Sequence, residues 1–169
     1  MLIPIFDEAQ VQARVDALAG QLARTLDSEW TVVALLQGAM PFTVDLMKAL
    51  ARLGVHPLQD CLWLESYRDA RESSGKVVVR ADVSRSVEGR SVLIVDDVFD
   101  TGRTIAFARK HLEAKGAVRA EACALVRKPA ARAEKIEHLG FDADDRFLVG
   151  YGMDDAGRYR GLPCIAALD

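Results

Sequence analysis

Residues 92–104, VLIVDDVFDTGRT, put carboxylates at Asp96, Asp97 and Asp100, hydroxyls at Thr101 and Thr104 and a glycine at Gly102, all directly after an apolar run. Val92, Leu93, Ile94 and Val95 have the bias of a strand buried in a parallel sheet. Ligands of open α/β sheets bind outside the carboxyl ends of the strands, which places Asp96, Asp97 and Asp100 at that edge before Thr104 opens a helix. From Asp100 to Thr104, a tight turn leading into a helix would aim backbone N–H groups and the two threonine hydroxyls at an anion, most simply a phosphate. Gly102 lets that anion approach closely. Asp96 and Asp97 would repel it, but they suit a vicinal diol or a hydrated Mg²⁺ held through water. A ribose 5-phosphate satisfies both faces. Taken singly, Asp96 and Asp97 merely end a strand and Asp100 caps a helix. The combination points to a ligand site.

The surrounding pattern supplies elements to position this block. Asp7 and Gln10 form a capping box for an amphipathic helix over 8–26, and Trp30 to Leu36 reads as a buried strand. Pro41 opens a helix whose Leu46, Leu50 and Leu53 point to the core, with Gly54 stopping it. A strand covers Leu58 to Leu64, a polar loop runs from Ser66 to Lys76, and Val77 to Val79 returns to strand. Ile105, Ala108 and Leu112 mark a helical face ending at Gly116, and Ala120 to Val126 is the next buried strand. This alternation predicts an α/β fold, a mostly parallel twisted sheet with helices on both faces. From Gly140 onward the chain is richer in turns and short extended pieces such as Phe147 to Val149, and is expected to form a small C-terminal flap over the sheet edge, about 140–169.

At 169 residues, half of them hydrophobic, the chain is the right size for one core and one domain. A net charge of −3 and a pI near 5.6 argue against a protein whose main business is nucleic acid. Cys61, Cys123 and Cys164 are far apart and in no metal-ligand spacing, which reads as buried thiols in a reducing compartment. With no signal-like N-terminus and no stretch long enough to span a bilayer, the expectation is a cytoplasmic protein that engages no membrane. His56, His111 and His138 show no metal-site spacing.

The central block resembles the phosphoribosyl pyrophosphate (PRPP) motif of type I phosphoribosyltransferases, specifically the hypoxanthine-guanine branch. The resemblance runs from LLQGAMPF through LESYRDARESSG, the central block and LVRKPAAR to DRFLVGYGMDDAGRYRGLP. It implies that Asp96 and Asp97 bind the ribose hydroxyls and the metal, that Thr101, Gly102, Arg103 and Thr104 cradle the phosphate, and that Asp100 is the catalytic proton acceptor at N7 of the purine. Lys128 matches the lysine that donates to the exocyclic oxygen, favouring a 6-oxo over a 6-amino group because an ammonium has donors only. Phe147 would stack on the purine, main-chain groups of Leu148 would reach its Watson–Crick edge, and Asp154 would lie near the base and Mg²⁺. Arg160 and the Gln37–Gly38 turn would contact pyrophosphate, the arginine as a bidentate donor and the turn through backbone N–H groups. Ser66 and Tyr67 match the Ser-Tyr pair of an active-site loop that closes over the reacting centre.

Two departures stand out: Asp96 where the family more often has Glu, and Gln37 where it often has Lys. The activity implied is Mg²⁺-dependent purine salvage, in which the 5-phosphoribosyl group of PRPP passes to hypoxanthine or guanine, giving the nucleoside monophosphate and pyrophosphate. Homodimers or homotetramers are implied as well. A transferase for xanthine or a pyrimidine, and a PRPP- or nucleotide-sensing regulator acting on RNA or DNA, are the rival readings.

Overall fold

Leu2–Phe6 (β1), Glu8–Leu22 (α1), Thr31–Leu36 (β2), Met40–Arg52 (α2), Leu58–Tyr67 (β3), Lys76–Ala81 (β4), Ser91–Phe99 (β5), Arg103–Ala114 (α3), Arg119–Arg127 (β6), His138–Asp142 (β7), Leu148–Val149 (β8) and Ile165–Leu168 (β9) follow in chain order, with a 3₁₀ turn at Pro129–Ala131. The computed structural model describes residues 1–67 and 76–168, Tyr67 in its backbone only. The segment 68–75, which holds most of the expected active-site loop, lies outside the described residues, as does the Tyr67 side chain.

The apolar runs at 31–36, 91–95 and 119–127 become the middle of a six-stranded sheet ordered β4-β3-β2-β5-β6-β7. Only the β3–β4 pair is antiparallel; the other pairs are parallel. Strand alternation sorts β5 between two cores: Leu93 and Val95 pack with α1 and α2, whereas Val92 and Ile94 pack with α3. Both faces are thus covered by helices, as a buried parallel sheet requires. Burying Val32, Val33, Leu93, Ile94, Leu125 and Val126 almost completely contributes about 1.5–3 kcal/mol per side chain, before the entropy of ordering the chain is counted. A second, three-stranded antiparallel sheet, β1-β9-β8, pairs the first strand with the last, Leu2 opposite Leu168.

The capping box forms as expected, Gln10 N–H donating to Asp7 at 2.8 Å and Asp7 N–H to the Gln10 side chain at 2.9 Å. Several boundaries differ from the sequence reading. α1 stops at Leu22, and Leu26 reaches the same core from the turn beyond it. Leu53, expected inside, is 53 % exposed, because α2 ends at Arg52 and Leu53 is its C-cap, already off the buried stripe of Leu46 and Leu50. β5 runs on to Phe99, so Asp96 and Asp97 lie within the strand. β2 pairs with β5 only as far as Val95, whereas β6 continues alongside to Phe99. α3 opens at Arg103, one residue before Thr104. β7 contains Gly140, so the turn-rich C-terminal region starts after it, and β1, β7 and β9 had no sequence expectation.

Side-chain bridges fix α3 and the β4–β5 connection. Arg109 makes two bonds to Glu137, at 3.3 and 3.0 Å, and another to the Ala120 carbonyl. Asp82 accepts from His111 and Lys115, both at 2.9 Å; burial acts to raise its pKa, but these partners hold it down at about 2. Asp60, 8 % exposed on β3, accepts the N–H groups of Cys61, Ser84 and Arg85 and the Ser84 hydroxyl. Burial pushes the Asp60 carboxyl up, yet the N–H groups of Cys61, Arg85 and Ser84 outweigh it and the pKa falls below its usual value. Its stabilising contribution is therefore complete above the unfolded aspartate value, about 3.9, and is lost as pH falls through the lower folded value. Replacing it by Asn, which presents one acceptor oxygen, is expected to cost about 2 kcal/mol in urea unfolding at neutral pH. The stability loss of the wild type on acidification below about pH 4 should be correspondingly flatter in Asp60→Asn.

Candidate active site

The carboxyl end of β5 turns its carboxylates in different directions. Asp96 is 8 % exposed, its Oδ1 accepting Asp97 N–H at 2.9 Å. Burial, and then the neighbouring Asp97 charge, push its carboxyl well above the usual range. Asp97 accepts Val98 N–H at 2.9 Å and lies over the turn between β2 and α2. A Cβ at Gly38 would stand 2.0 Å from Asp97 Oδ2, so only glycine leaves that carboxylate its place. Beyond Phe99 the chain reaches exposed Asp100 and then Gly102, whose φ of +79° makes it a left-handed N-cap for α3. Gly102 supplies no side-chain cap, which leaves the first-turn N–H groups of α3 for another acceptor. Thr101 Oγ1 turns back toward Arg103 N–H at 3.4 Å.

Lys128 follows β6, and its N–H donates to the Phe99 carbonyl at 3.0 Å, which sets it beside Asp100. Opposite lie β8 and the turns after it. Gly150 and Gly152 both have φ near +100°, and the Tyr151 hydroxyl between them donates to Asp45 of α2 at 2.6 Å. Burial first, and then the Asp45 hydrogen bond, hold the Tyr151 phenol above its ordinary pKa. A Cβ on Gly152 would come within 1.9 Å of the Gly38 carbonyl oxygen. The β1-β9-β8 sheet with the turns that follow β8, the hood of the site, therefore touches the β2–α2 turn backbone to backbone.

Between sheet edge and hood is a cleft of about 200 Å³ lined by Asp97, Val98, Asp100, Lys128, Phe147, Leu148, Met153 and Asp154. Six of the residues singled out by sequence, from four separate stretches of chain, thus converge on one cavity. Phe147 is 52 % exposed at its rim, a free aromatic face for a flat heterocycle. Val98 and Met153 had no sequence signal beyond being apolar. Asp96 is not among the lining residues, nor are the 101–104 turn, Gln37, Gly38 and Arg160. Gln37 is exposed and follows a cis Leu36–Gln37 peptide. Arg160 donates to the Gly152 carbonyl at 2.6 Å and pairs with Asp154 at 2.8 Å, facing the hood's own backbone where pyrophosphate was expected. Ser66 is exposed near the end of β3, paired with Val77.

Among the described residues, no three His, Cys, Asp or Glu side chains group as a metal-binding cluster. Asp97 and Asp154 nevertheless present hard oxygens to the same cavity, and one or two carboxylates completed by water and phosphate oxygens are the usual protein share of a Mg²⁺ site. The donor set fits that ion. Cys123 is fully buried and its thiol is pushed up to about 12 by burial, a packing residue, while Cys61 and Cys164 are half-buried.

Residues 5–156 match the model of the phosphoribosyl transferase domain family. The chain is 37 % identical over 169 residues to the bifunctional protein TilS/HprT of Listeria monocytogenes; 96 % of this chain is covered, and it spans only a quarter (25 %) of that protein's length. It is 33 % identical to the hypoxanthine-guanine phosphoribosyltransferase of Bacillus subtilis, covering 97 % of this chain and 91 % of that one. A crystal structure of a hypoxanthine-guanine phosphoribosyltransferase from Bacillus anthracis, with a HEPES molecule in its active site, superposes with a TM-score of 0.88 at 32 % identity, covering 98 % of each chain.

Substituting Gly152 tests the seam. Gly152→Ala adds a clash with backbone to the strain of a positive φ and is expected to lose more than 2 kcal/mol in urea unfolding, or about that as a lower bound. Gly157→Ala has the same strain (φ +82°) but nothing within 4 Å, and should lose only about 1–2 kcal/mol.

Proposed function

The chain belongs to the hypoxanthine-guanine phosphoribosyltransferases, and on that premise we propose that it transfers the 5-phosphoribosyl group of PRPP to hypoxanthine or guanine, releasing pyrophosphate and giving IMP or GMP in purine salvage. The observation that carries this reading is the convergence of Asp100, Lys128 and Phe147 on one cleft beside Asp97 and Asp154. A planar base lying on the Phe147 ring buries one face of an aromatic that is otherwise half in water. Lys128 donates to the exocyclic oxygen and offers a 6-amino group nothing to bond. Asp100 then accepts the proton that the base gives up at N7 as the new bond forms at the anomeric carbon.

The open N-terminus of α3, with the hydroxyls of Thr101 and Thr104, suits the 5-phosphate, and Gly102 and Arg103 complete the cradle. Asp97 accepts from the ribose hydroxyls, with Asp96 behind it. Gln37 and Gly38 offer backbone N–H groups to pyrophosphate, and Arg160 a guanidinium. Asp97 and Asp154 would hold Mg²⁺, which when bound would supply the positive charge that a diphosphate leaving group needs. Developing positive charge on the ribose is met by the carboxylates around it, and most of the acceleration comes from positioning and electrostatics.

A homodimer or homotetramer in the cytoplasm belongs to the same reading. Met40 and Val44, one turn apart on α2, are 51 % and 45 % exposed, apolar surface of the kind that association covers. No helix among the described residues is long and apolar enough to cross a membrane.

Pyrophosphate release from PRPP and Mg²⁺, measured in parallel with hypoxanthine, guanine, xanthine, adenine and uracil, tests the proposal. Release is expected with hypoxanthine or guanine and not with adenine. Asp100→Asn should lower kcat by about 10²-fold or more while PRPP binding changes little. Absence of release with every base, from a protein that binds PRPP, would leave a nucleotide sensor as the better reading.

A further inference from the structure

Asp154 carries two bonds. Its Oδ2 accepts Gly157 N–H at 2.6 Å and its Oδ1 pairs with Arg160 at 2.8 Å. The same guanidinium reaches the Gly152 carbonyl at 2.6 Å, and Gly152 N–H returns a bond to the Arg160 carbonyl at 2.9 Å. Both side chains are about two-thirds shielded, 29 % exposed for Asp154 and 34 % for Arg160, so the pair is only partly screened by solvent. A guanidinium and a divalent cation compete for one carboxylate, because both are positive and repel each other at that distance. While Arg160 stays in place and Gly157 N–H holds the other oxygen, a cation reaching Asp154 meets a carboxylate whose charge is already answered.

We propose that Arg160 is a built-in occupant of the cation position, its guanidinium holding Asp154 until a metal-bound diphosphate takes both partners at once. The inference rests on the reading of the cleft given above and deepens it. Asp154 passes to the metal, and the released fork, two donors set for bidentate contact, passes to the diphosphate. Neither exchange is favourable alone. A bare cation must strip Asp154 of its partner and leave Arg160 unpaired in a partly shielded hood, and a bare diphosphate must strip Arg160 and leave Asp154 unpaired. Metal and diphosphate binding are then linked through one ion pair, and each raises the affinity of the other.

The test is the binding of Mn²⁺ alone, followed by the electron paramagnetic resonance signal of the free ion, with no PRPP, base or pyrophosphate present. Arg160→Gln keeps an N–H donor for the Gly152 carbonyl but removes the charge from Asp154, and should tighten the Mn²⁺ Kd about tenfold. In the Arg160→Gln/Asp154→Asn double variant that gain should vanish. The double variant itself should bind Mn²⁺ within about twofold of wild type, because removing both partners leaves the net charge of the pair unchanged. A Kd for Arg160→Gln equal to or weaker than wild type, or a gain that survives in the double variant, would each overturn the inference. If Arg160→Gln fails to fold, a several-fold departure of the charge-balanced double variant from wild type overturns the inference by itself. Because no turnover is read, a chain that shows these shifts but releases no pyrophosphate would refute the proposed reaction and leave the ion-pair exchange standing.

Discussion

Contact between two backbones, the Gly38 carbonyl against Gly152, turns a sheet edge into a cleft. Parallel strands end in a row of loops with no roof, and here the roof is a small antiparallel sheet that must come down onto the β2–α2 turn. A side chain at 152 would strike the Gly38 carbonyl and hold the layers apart, and one at 38 would strike the Asp97 carboxylate. Three stretches of chain far apart in sequence are thereby fixed to within an atom's width of one another, the distance scale on which proximity effects operate. The Tyr151–Asp45 hydrogen bond, a few residues from each glycine, braces the same junction from the helix side.

The electrostatics of the cleft follow from that closure. Asp97, Asp100 and Asp154 line it against a single lysine, Lys128. Such a surplus of negative charge is costly in a partly closed space, and the chain relieves it internally: Arg160 answers Asp154, and Asp96 has its carboxyl pushed toward the neutral form. An anionic ligand such as PRPP would meet a repulsive wall were it to arrive without a cation. The acidic lining and the open, positive end of α3 therefore suit a ligand that is itself divided, phosphate at one end and cation-bridged diphosphate at the other.

Local signals made much of this legible in the sequence. The strand 92–95, the Asp7–Gln10 box and the Gly116 stop are decided within a few residues, and the structure reproduces them. Asp97 and Asp100 could be named from the strand they follow, because an α/β sheet keeps its ligands at that edge, whereas Lys128, Phe147, Leu148 and Asp154 were legible only through the family resemblance. Misreadings arose where a distant partner decides. β5 continues past Val95 because β6 offers it a ladder, although β2 does not. β1 is a strand only because β9 returns to pair with it, and β7 because β6 has a free edge. Asp60 carries no motif; its importance arises from Ser84 and Arg85, across the connection that follows β4. Arg160 could be assigned to the site but not to Asp154, since a six-residue spacing in a turn-rich stretch says nothing of direction.

The pairing of β1 with β9 places Leu2 opposite Leu168, so the two ends of the described chain are neighbours on the hood. Joining them by a short linker and opening the ring elsewhere would keep every strand pair, provided the cut falls in an exposed turn away from the cleft. The turn at 53–54, between α2 and β3 and with both residues exposed, is such a place. Circular permutants of this kind would fold with the hood sheet made from one continuous passage of chain, β8-β9-β1, in place of two passages from opposite ends. The contact order of the hood would drop sharply while the Gly38–Gly152 seam stayed as it is. The order in which sheet and roof assemble would then be open to choice, independently of the site that they enclose.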